Sequence, residues 1–280
     1  MKIRMLYRRS RDRFLDWLRT LHLGLVRYWA IERQCHPLPL TDRSVIVFAP
    51  HQDDEVFGCG GLIALKCQQN IPVRVVFVTD GKGSHAGYTP AQQAELIQGR
   101  KLEAIAALSA LGLDPSKIDF LEQPDGELQK LPDSERQDLI QQIVGLLQTY
   151  QPQAVYVPHA QDAHIDHEAT YSLVKTAISL VDRTSTDRAI ELWQYPIWIF
   201  WFRALFWNLT LKSIRRPYRL EIRSVQAQKN AAIAVYKSQH QVLPSAFLKQ
   251  FHLPYEIYFK DDLKLDFSQS RNNGQIIQKG

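Results

Sequence analysis

Two short clusters in this sequence bring together residue types that can hold a metal and move a proton: Pro50-His51-Gln52-Asp53-Asp54-Glu55, and His164-Ile165-Asp166-His167. A catalytic zinc takes three protein ligands of nitrogen or oxygen type and leaves a position for water. A loop with His-x-x-Asp spacing can turn His51 and Asp54 toward one point, and a single His from the second cluster can then complete a facial set. Asp53, the carboxylate left over, is then placed to take a proton from the activated water. His164 would face the scissile carbonyl and stabilise its developing negative charge. Each cluster also has an ordinary reading. A loop histidine is more often solvated than ligated, and Asp-Asp-Glu ahead of a helix suits the positive end of the helix dipole. Chemistry is favoured because both clusters fall at the carboxyl ends of expected strands in one sheet.

Those strands come from short β-branched runs that alternate with amphipathic stretches. Ser44–Ala49, Val73–Thr79, Ile118–Leu121, Ala154–Val157 and Ile190–Tyr195 read as strands. Gly58–Gln69, Pro90–Leu111, Ser134–Tyr150 and His167–Val181 read as helices. The alternation predicts an α/β fold, a Rossmann-like and mostly parallel sheet with helices on both faces. In such folds the chemistry sits beyond the carboxyl ends of the strands, at a switch point. Loops 50–58, 80–88, 122–127 and 158–167 are therefore expected to converge.

The strings VFAPHQDDEVFGCGG and HIDHEAT resemble the two signatures of the PIG-L/LmbE-like family of zinc-dependent N-acetylglucosaminyl deacetylases, usually written (P/A)HPDDE and HxDH. The likeness continues in Thr79-Asp80-Gly81, in Arg100 with Glu103, and in Asp125-Gly126. It extends through Lys229, Tyr236-Lys237-Ser238-Gln239 and Leu253-Pro254-Tyr255-Glu256, and so covers residues 43–260. The resemblance implies His51, Asp54 and His167 as ligands of Zn2+ and Asp53 as the general base. It implies His164 as the partner of the tetrahedral intermediate and Asp166 as an orienting group. Arg100 and Asp125 match positions that hold sugar hydroxyls. Gln52 departs from the family's proline; proline there stiffens the loop without ligating, so activity is expected to survive the change.

The implied reaction is hydrolytic deacetylation of an N-acetylglucosamine-containing substrate, releasing acetate and a free amino sugar. A zinc amidase acting on a thiol-sugar conjugate is the alternative within enzymes, and a catalytically silent sugar- or membrane-binding module is the alternative outside them. Base and ligands kept together weigh against silence. A two-His, one-carboxylate set can also hold iron.

The chain has 280 residues, 45% hydrophobic and 22% charged, enough for an ordinary globular core. The expected division falls at residue 43, between a basic amphipathic arm, 1–42, and the domain that the resemblance implies is a deacetylase, 43–280. Residues 1–34 hold nine Lys or Arg against three Asp or Glu, a net of +6, which leaves the rest of this +5 chain at −1. Basicity confined to the arm argues against a nucleic-acid partner. Cys35, Cys59 and Cys67 are odd in number and lack CxxC spacing, which favours a reducing, cytoplasmic compartment over a disulfide framework. Cys59 reads as a packing residue, and His85 and His159 as rim or structural residues.

No signal peptide is expected, because Arg27 interrupts the apolar stretch Leu21–Ile31. The longest apolar run, Ile197–Leu211, contains Arg203 and is too short to span a bilayer. Residues 10–32 place Phe14, Trp17, Leu18, Leu21, Leu25 and Tyr28 at helical spacing. Trp193–Trp207 holds Trp193, Trp198, Trp201 and Trp207, and Lys212, Arg215, Arg216 and Arg219 follow it. Aromatic residues beside basic anchors suit peripheral contact with a membrane surface through residues 10–32 and 193–219. The alternatives are that the two segments pack on each other or on a second subunit.

Overall fold

The computed structural model describes residues 32–84, 87–182, 189–202 and 214–261, together with residues 18, 20–22, 24, 25 and 28. The expectations for Phe14, Trp17, His85, Arg203, Trp207 and Lys212 lie outside the described residues.

Five buried residues in a row make Val45–Ala49 (β2) a strand covered on both faces. Alternation then sorts its side chains. Val45, Val47 and Ala49 belong to one core layer, while Ile46 and Phe48 belong to the other. The next strand, Val73–Thr79 (β3), divides in the same way, with Val75 and Phe77 on the first side and Val76 and Val78 on the second. Helices Asp54–Gln68 (α1), Pro90–Ala110 (α2), the short Ile199–Phe202 (α5, through Trp201) and Gln226–Val235 (α6) supply the first layer. Helices Asp133–Tyr150 (α3) and Ile165–Asp182 (α4) supply the second.

The sheet has eight strands among the described residues. To those two it adds His36–Pro37 (β1), Ile118–Gln123 (β4), Ala154–Pro158 (β5), Glu191–Tyr195 (β6), Pro217–Glu221 (β7) and Tyr255–Lys260 (β8). Their order is β1-β7-β8-β6-β5-β2-β3-β4. Strands β2 to β6 run parallel, whereas β8 is antiparallel to both β6 and β7. The fold is therefore the expected α/β type, with a mostly parallel sheet and helices around it. Strands β3 and β4 lie to one side of β2, and β5 and β6 to the other. The switch point falls between β2 and β5, whose outgoing loops carry the two clusters.

Three differences from the sequence reading have physical causes. Helix α1 begins at Asp54 rather than Gly58. The glycines that suggested a helix start answer to close packing inside it: a Cβ on Gly58 would stand 2.3 Å from the Tyr195 ring, and one on Gly61 would stand 2.4 Å from Ile222. Helix α4 begins at Ile165, so Asp166 and His167 lie in its first turn, where acidic residues suit the dipole. Strands β1, β7 and β8 escaped notice because β1 is two residues long and the other two are only partly buried and lack a β-branched run.

Candidate metal centre and active site

The turn after β2 and the start of α1 deliver His51, Asp53 and Asp54; the loop after β5 delivers Asp162 and His164, and the first turn of α4 delivers Asp166 and His167. Together with Arg100 on α2 and Asp125 after β4, most of these line a cavity of about 430 Å3. Three of the four loops expected to converge thus meet here, and the fourth contributes Gly83. Trp198 and Gln239 also line it, with Phe57, Ile165, Val242 and Leu243 as apolar neighbours. The sequence marks Trp198 only as part of the aromatic segment and Gln239 only as part of the resemblance, because hydrophobic and amide side chains carry no local chemical signature.

Asp54 stands at the centre. Its Oδ2 lies 3.2 Å from His51 Nδ1 and 3.2 Å from His167 Nε2. Nitrogen and oxygen ligands held 2.0–2.2 Å from a tetrahedral zinc are about 3.3 Å apart, so the spacing fits an ion between them. His167 is fully buried, and apart from the Asp54 oxygen 3.2 Å away its Nε2 faces no partner and makes no hydrogen bond of good geometry. Such an orphaned nitrogen is what a metal ligand looks like before its ion is considered. The opposite ring nitrogen, Nδ1, donates to Asp162 Oδ2 at 2.7 Å, the carboxylate–histidine arrangement that fixes a ligand's ring. Two further donor sets crowd the same space: His51, His164 and His167, and His51, Asp125 and Asp166, each with ligand atoms within 4.8 Å of one another. The donor set fits a divalent ion.

The titration pattern separates the roles. Burial pushes Asp53 up to about 7, helped by the neighbouring charge of Asp54, against Arg100 and the two histidines. Burial also disfavours the charge on Asp54, but His167 and His51 overcome it and hold that carboxyl well below the usual range. Two adjacent carboxylates pushed apart in this way point to one base and one ligand. Burial opposes the charge on His167, and Asp54 and Asp162 outweigh it, raising the ring to about 9. His164 goes the other way, down to about 4, through burial and the charges of His167 and His51.

Asp53 also sits in a backbone conformation, φ 145° and ψ −31°, that residues with a Cβ seldom adopt. Its carbonyl accepts the N–H groups of Val56 and Phe57, which starts α1. Arg100, 2% exposed, donates to the carbonyls of Gly81 and Gln52 at 2.7 Å each and lies 3.6 Å from Asp53 Oδ1. Gln52 fills the family's proline position with a buried amide that donates to Thr79 O at 2.9 Å. The loop is thereby tied to the end of β3 by a side chain rather than stiffened by a ring.

Asp125 Oδ1 lies 3.2 Å from His51 Nε2, and its Oδ2 accepts the Gly83 N–H at 2.8 Å. Asp166 accepts the N–H groups of Gly126 and Leu128 at 2.6 and 3.2 Å and lies 3.3 Å from His51 Nε2. Its carboxylate therefore ties the loop after β4 to His51. The Asp166 N–H donates to His164 Nδ1 at 3.3 Å, which leaves Nε2 of that neutral ring to carry the proton. Ala163, just before it, has φ 60°. His159 is buried edge-on against Phe259, with its Nδ1 accepting the Gln161 N–H at 3.1 Å. It is outside the cavity lining, in keeping with a structural role. Cys59 is wholly buried and its thiol pushed up by burial, as a packing residue's would be.

Residues 46–178 match the model of the PIG-L family, described as GlcNAc-PI de-N-acetylase. This stretch is a PIG-L domain. It runs from β2 into α4 and contains both clusters. Among solved structures, the chain resembles the 4-carboxy-2-hydroxymuconate hydratase GalB of Pseudomonas putida KT2440 (22% identity, 75% of this chain and 82% of that one, TM-score 0.58). It also resembles the N,N'-diacetylchitobiose deacetylase of Pyrococcus horikoshii (23%, 75% and 74%, TM-score 0.52). A third is the zinc-inhibited form of teicoplanin deacetylase Orf2 (18%, 78% and 99%, TM-score 0.57). At these identities the likenesses show that the PIG-L domain and its flanking elements share one fold with deacetylases and a hydratase.

The aromatic segment is largely interior where it is described. Trp193, Tyr195, Ile197, Ile199, Phe200 and Trp201 are buried, and Phe202 is exposed. Trp198 stacks on Phe247 at 4.1 Å. Leu18, Leu21, Leu25 and Tyr28 of the arm are exposed. Among the described residues no helix is long and apolar enough to cross a membrane.

Proposed function

We propose that this protein removes the N-acetyl group from an N-acetylglucosamine-containing conjugate, with Zn2+ held by His51, Asp54 and His167. The observation that carries the reading is the pairing of Asp53 with Asp54 on the cavity wall: Asp54 lies 3.2 Å from both His51 and His167, which supports a ligand's role for it, and Asp53 stands apart beside Arg100, which supports a base's role. An ion at this site would supply Lewis acidity to the attacking water and to the acetamide carbonyl. Asp53 accepts the proton of that water and is poised near neutral pH to do so. His164, neutral and protonated on Nε2, donates to the carbonyl oxygen as charge builds there. Arg100 steadies the Asp53 carboxylate and the turn around it, and with Asp125 at the cavity wall meets the sugar hydroxyls. Asp166 keeps His51 and the loop of Asp125 in register. Trp198, stacked on Phe247 and Phe202, gives the cavity an apolar wall against which a sugar would lie.

The test is acetate release from a panel of N-acetylglucosamine conjugates, soluble and lipid-linked, with the purified protein before and after chelation. The panel includes a zinc titration, since one relative is known in a zinc-inhibited form. Release restored by zinc supports the reading. The likeness to a hydratase gives a specific second reading, since a base beside a Lewis acid can also add water to an activated double bond. Absence of acetate together with hydration of an unsaturated acid would decide for it. The exposed leucines of the arm support peripheral contact with a membrane as part of the proposal. Preference for the lipid-linked members over their soluble counterparts would follow from it.

A further inference from the structure

We propose that Tyr236 is a positioning residue for Asp53, acting through Glu55; the proposal rests on the reading of Asp53 as the base. Glu55 is wholly buried on α1, and both of its carboxylate oxygens are occupied. Oε2 accepts the N–H of Asp53 at 3.0 Å, and Oε1 accepts the hydroxyl of Tyr236. Tyr236, also wholly buried, follows α6 and lies outside the residues that match the PIG-L model. Two residues on, Ser238 donates to Glu103 on α2 from its N–H at 3.0 Å and from its hydroxyl at 2.6 Å, which fixes this corner of the chain. The strained N–H of Asp53 is thus held by a buried carboxylate whose own orientation is set by a tyrosine far away in sequence.

Removing that hydroxyl leaves one oxygen of a buried carboxylate without its donor, a cost the group relieves by turning toward another. Its grip on the Asp53 N–H then weakens. A residue at φ 145° relaxes when nothing opposes it, and its carboxylate shifts in the cavity. The ligands His51, Asp54 and His167 make no contact with Tyr236 in this chain of bonds, so metal binding is left intact.

The experiment compares Tyr236→Phe with Tyr258→Phe in the full-length, zinc-restored protein. Tyr258 is a matched control: equally buried, it donates to Glu256 at 2.7 Å, and Glu256 accepts the N–H groups of Gly61 and Leu62, away from Asp53. On the N-acetylglucosamine conjugate that the wild type hydrolyses best, Y236F is expected to lose kcat by about 10- to 100-fold with KM and zinc content unchanged. Y258F is expected to lose stability but keep kcat. Wild-type kcat in Y236F, or equal kcat losses in the two variants, overturns the proposal. If Y236F does not fold, Glu55→Gln serves in its place, with a loss of kcat at full zinc content expected and wild-type kcat overturning. If the wild type releases no acetate, the deacetylase reading fails by itself. The crystal structure of Y236F then decides: a shift of Asp53 away from φ 145° supports the hold, and an unchanged φ overturns it.

Discussion

Asp162 joins His167 to the wall of the cavity. Its Oδ2 accepts the Nδ1–H of His167 at 2.7 Å, and its Oδ1 accepts the N–H groups of Ile197, Trp198 and Ile199 at 3.0 Å each. One wholly buried carboxylate therefore orients a proposed metal ligand and fixes the backbone that carries Trp198.

Asp162→Asn keeps the shape but removes the charge that orients His167. Zinc affinity should fall by about 10- to 100-fold, as is usual when such a partner is changed. Competition with a chromogenic chelator measures it. An affinity equal to wild type would remove Asp162 from the site's design.

Zinc affinity should also depend on pH in one direction. In the metal-free protein His167 is held up to about 9, so below that pH a proton competes with the metal for its ring. Affinity should rise as pH is raised from 6 and level off near 9, with proton release on zinc addition. Calorimetry in buffers of different ionisation enthalpy reads the proton count. The same shift has a stability sign in the metal-free protein: a raised histidine pKa contributes stability below the unfolded value of 6.5, lost as pH rises toward about 9.

Gly58→Ala should destabilise the fold without touching the chemistry directly. Its Cβ would meet the ring of Tyr195 at 2.3 Å, and that ring is wholly buried and bonded through its hydroxyl to Phe48 O at 2.7 Å. Overpacking of this kind costs about 1–3 kcal/mol. Thermal unfolding of the variant beside wild type measures it, and an unchanged Tm would show that the ring moves freely.

How much of this was legible beforehand follows from the range of each signal. His51, Asp53, Asp54, His164 and His167 stood out as candidates because residue types suited to ligands and bases cluster within six residues at strand ends, and the sheet order brings them together. The parallel strands were readable because Val45–Ala49 is a continuous apolar run, buried throughout, and Val73–Thr79 is β-branched and buried except at Arg74. Asp162 was not, although it lies only five residues before His167, because a lone loop aspartate looks like any other. Tyr236 and Trp198 were missed as site residues for a different reason: their roles depend on contacts with residues far away in sequence. The start of α1 was misplaced because glycine spacing that serves tight packing against Tyr195 and Ile222 mimics a helix boundary.

The central claim is that Asp53 is base and Asp54 ligand, and the most direct test pairs Asp53→Asn with Asp54→Ala, measuring zinc content and acetate release on the same samples. The account predicts that D53N binds zinc as wild type does and loses about 10²- to 10⁴-fold in turnover, while D54A loses the metal and the activity together. A zinc-replete D53N protein with undiminished acetate release, or a D54A protein that keeps its zinc, would contradict it.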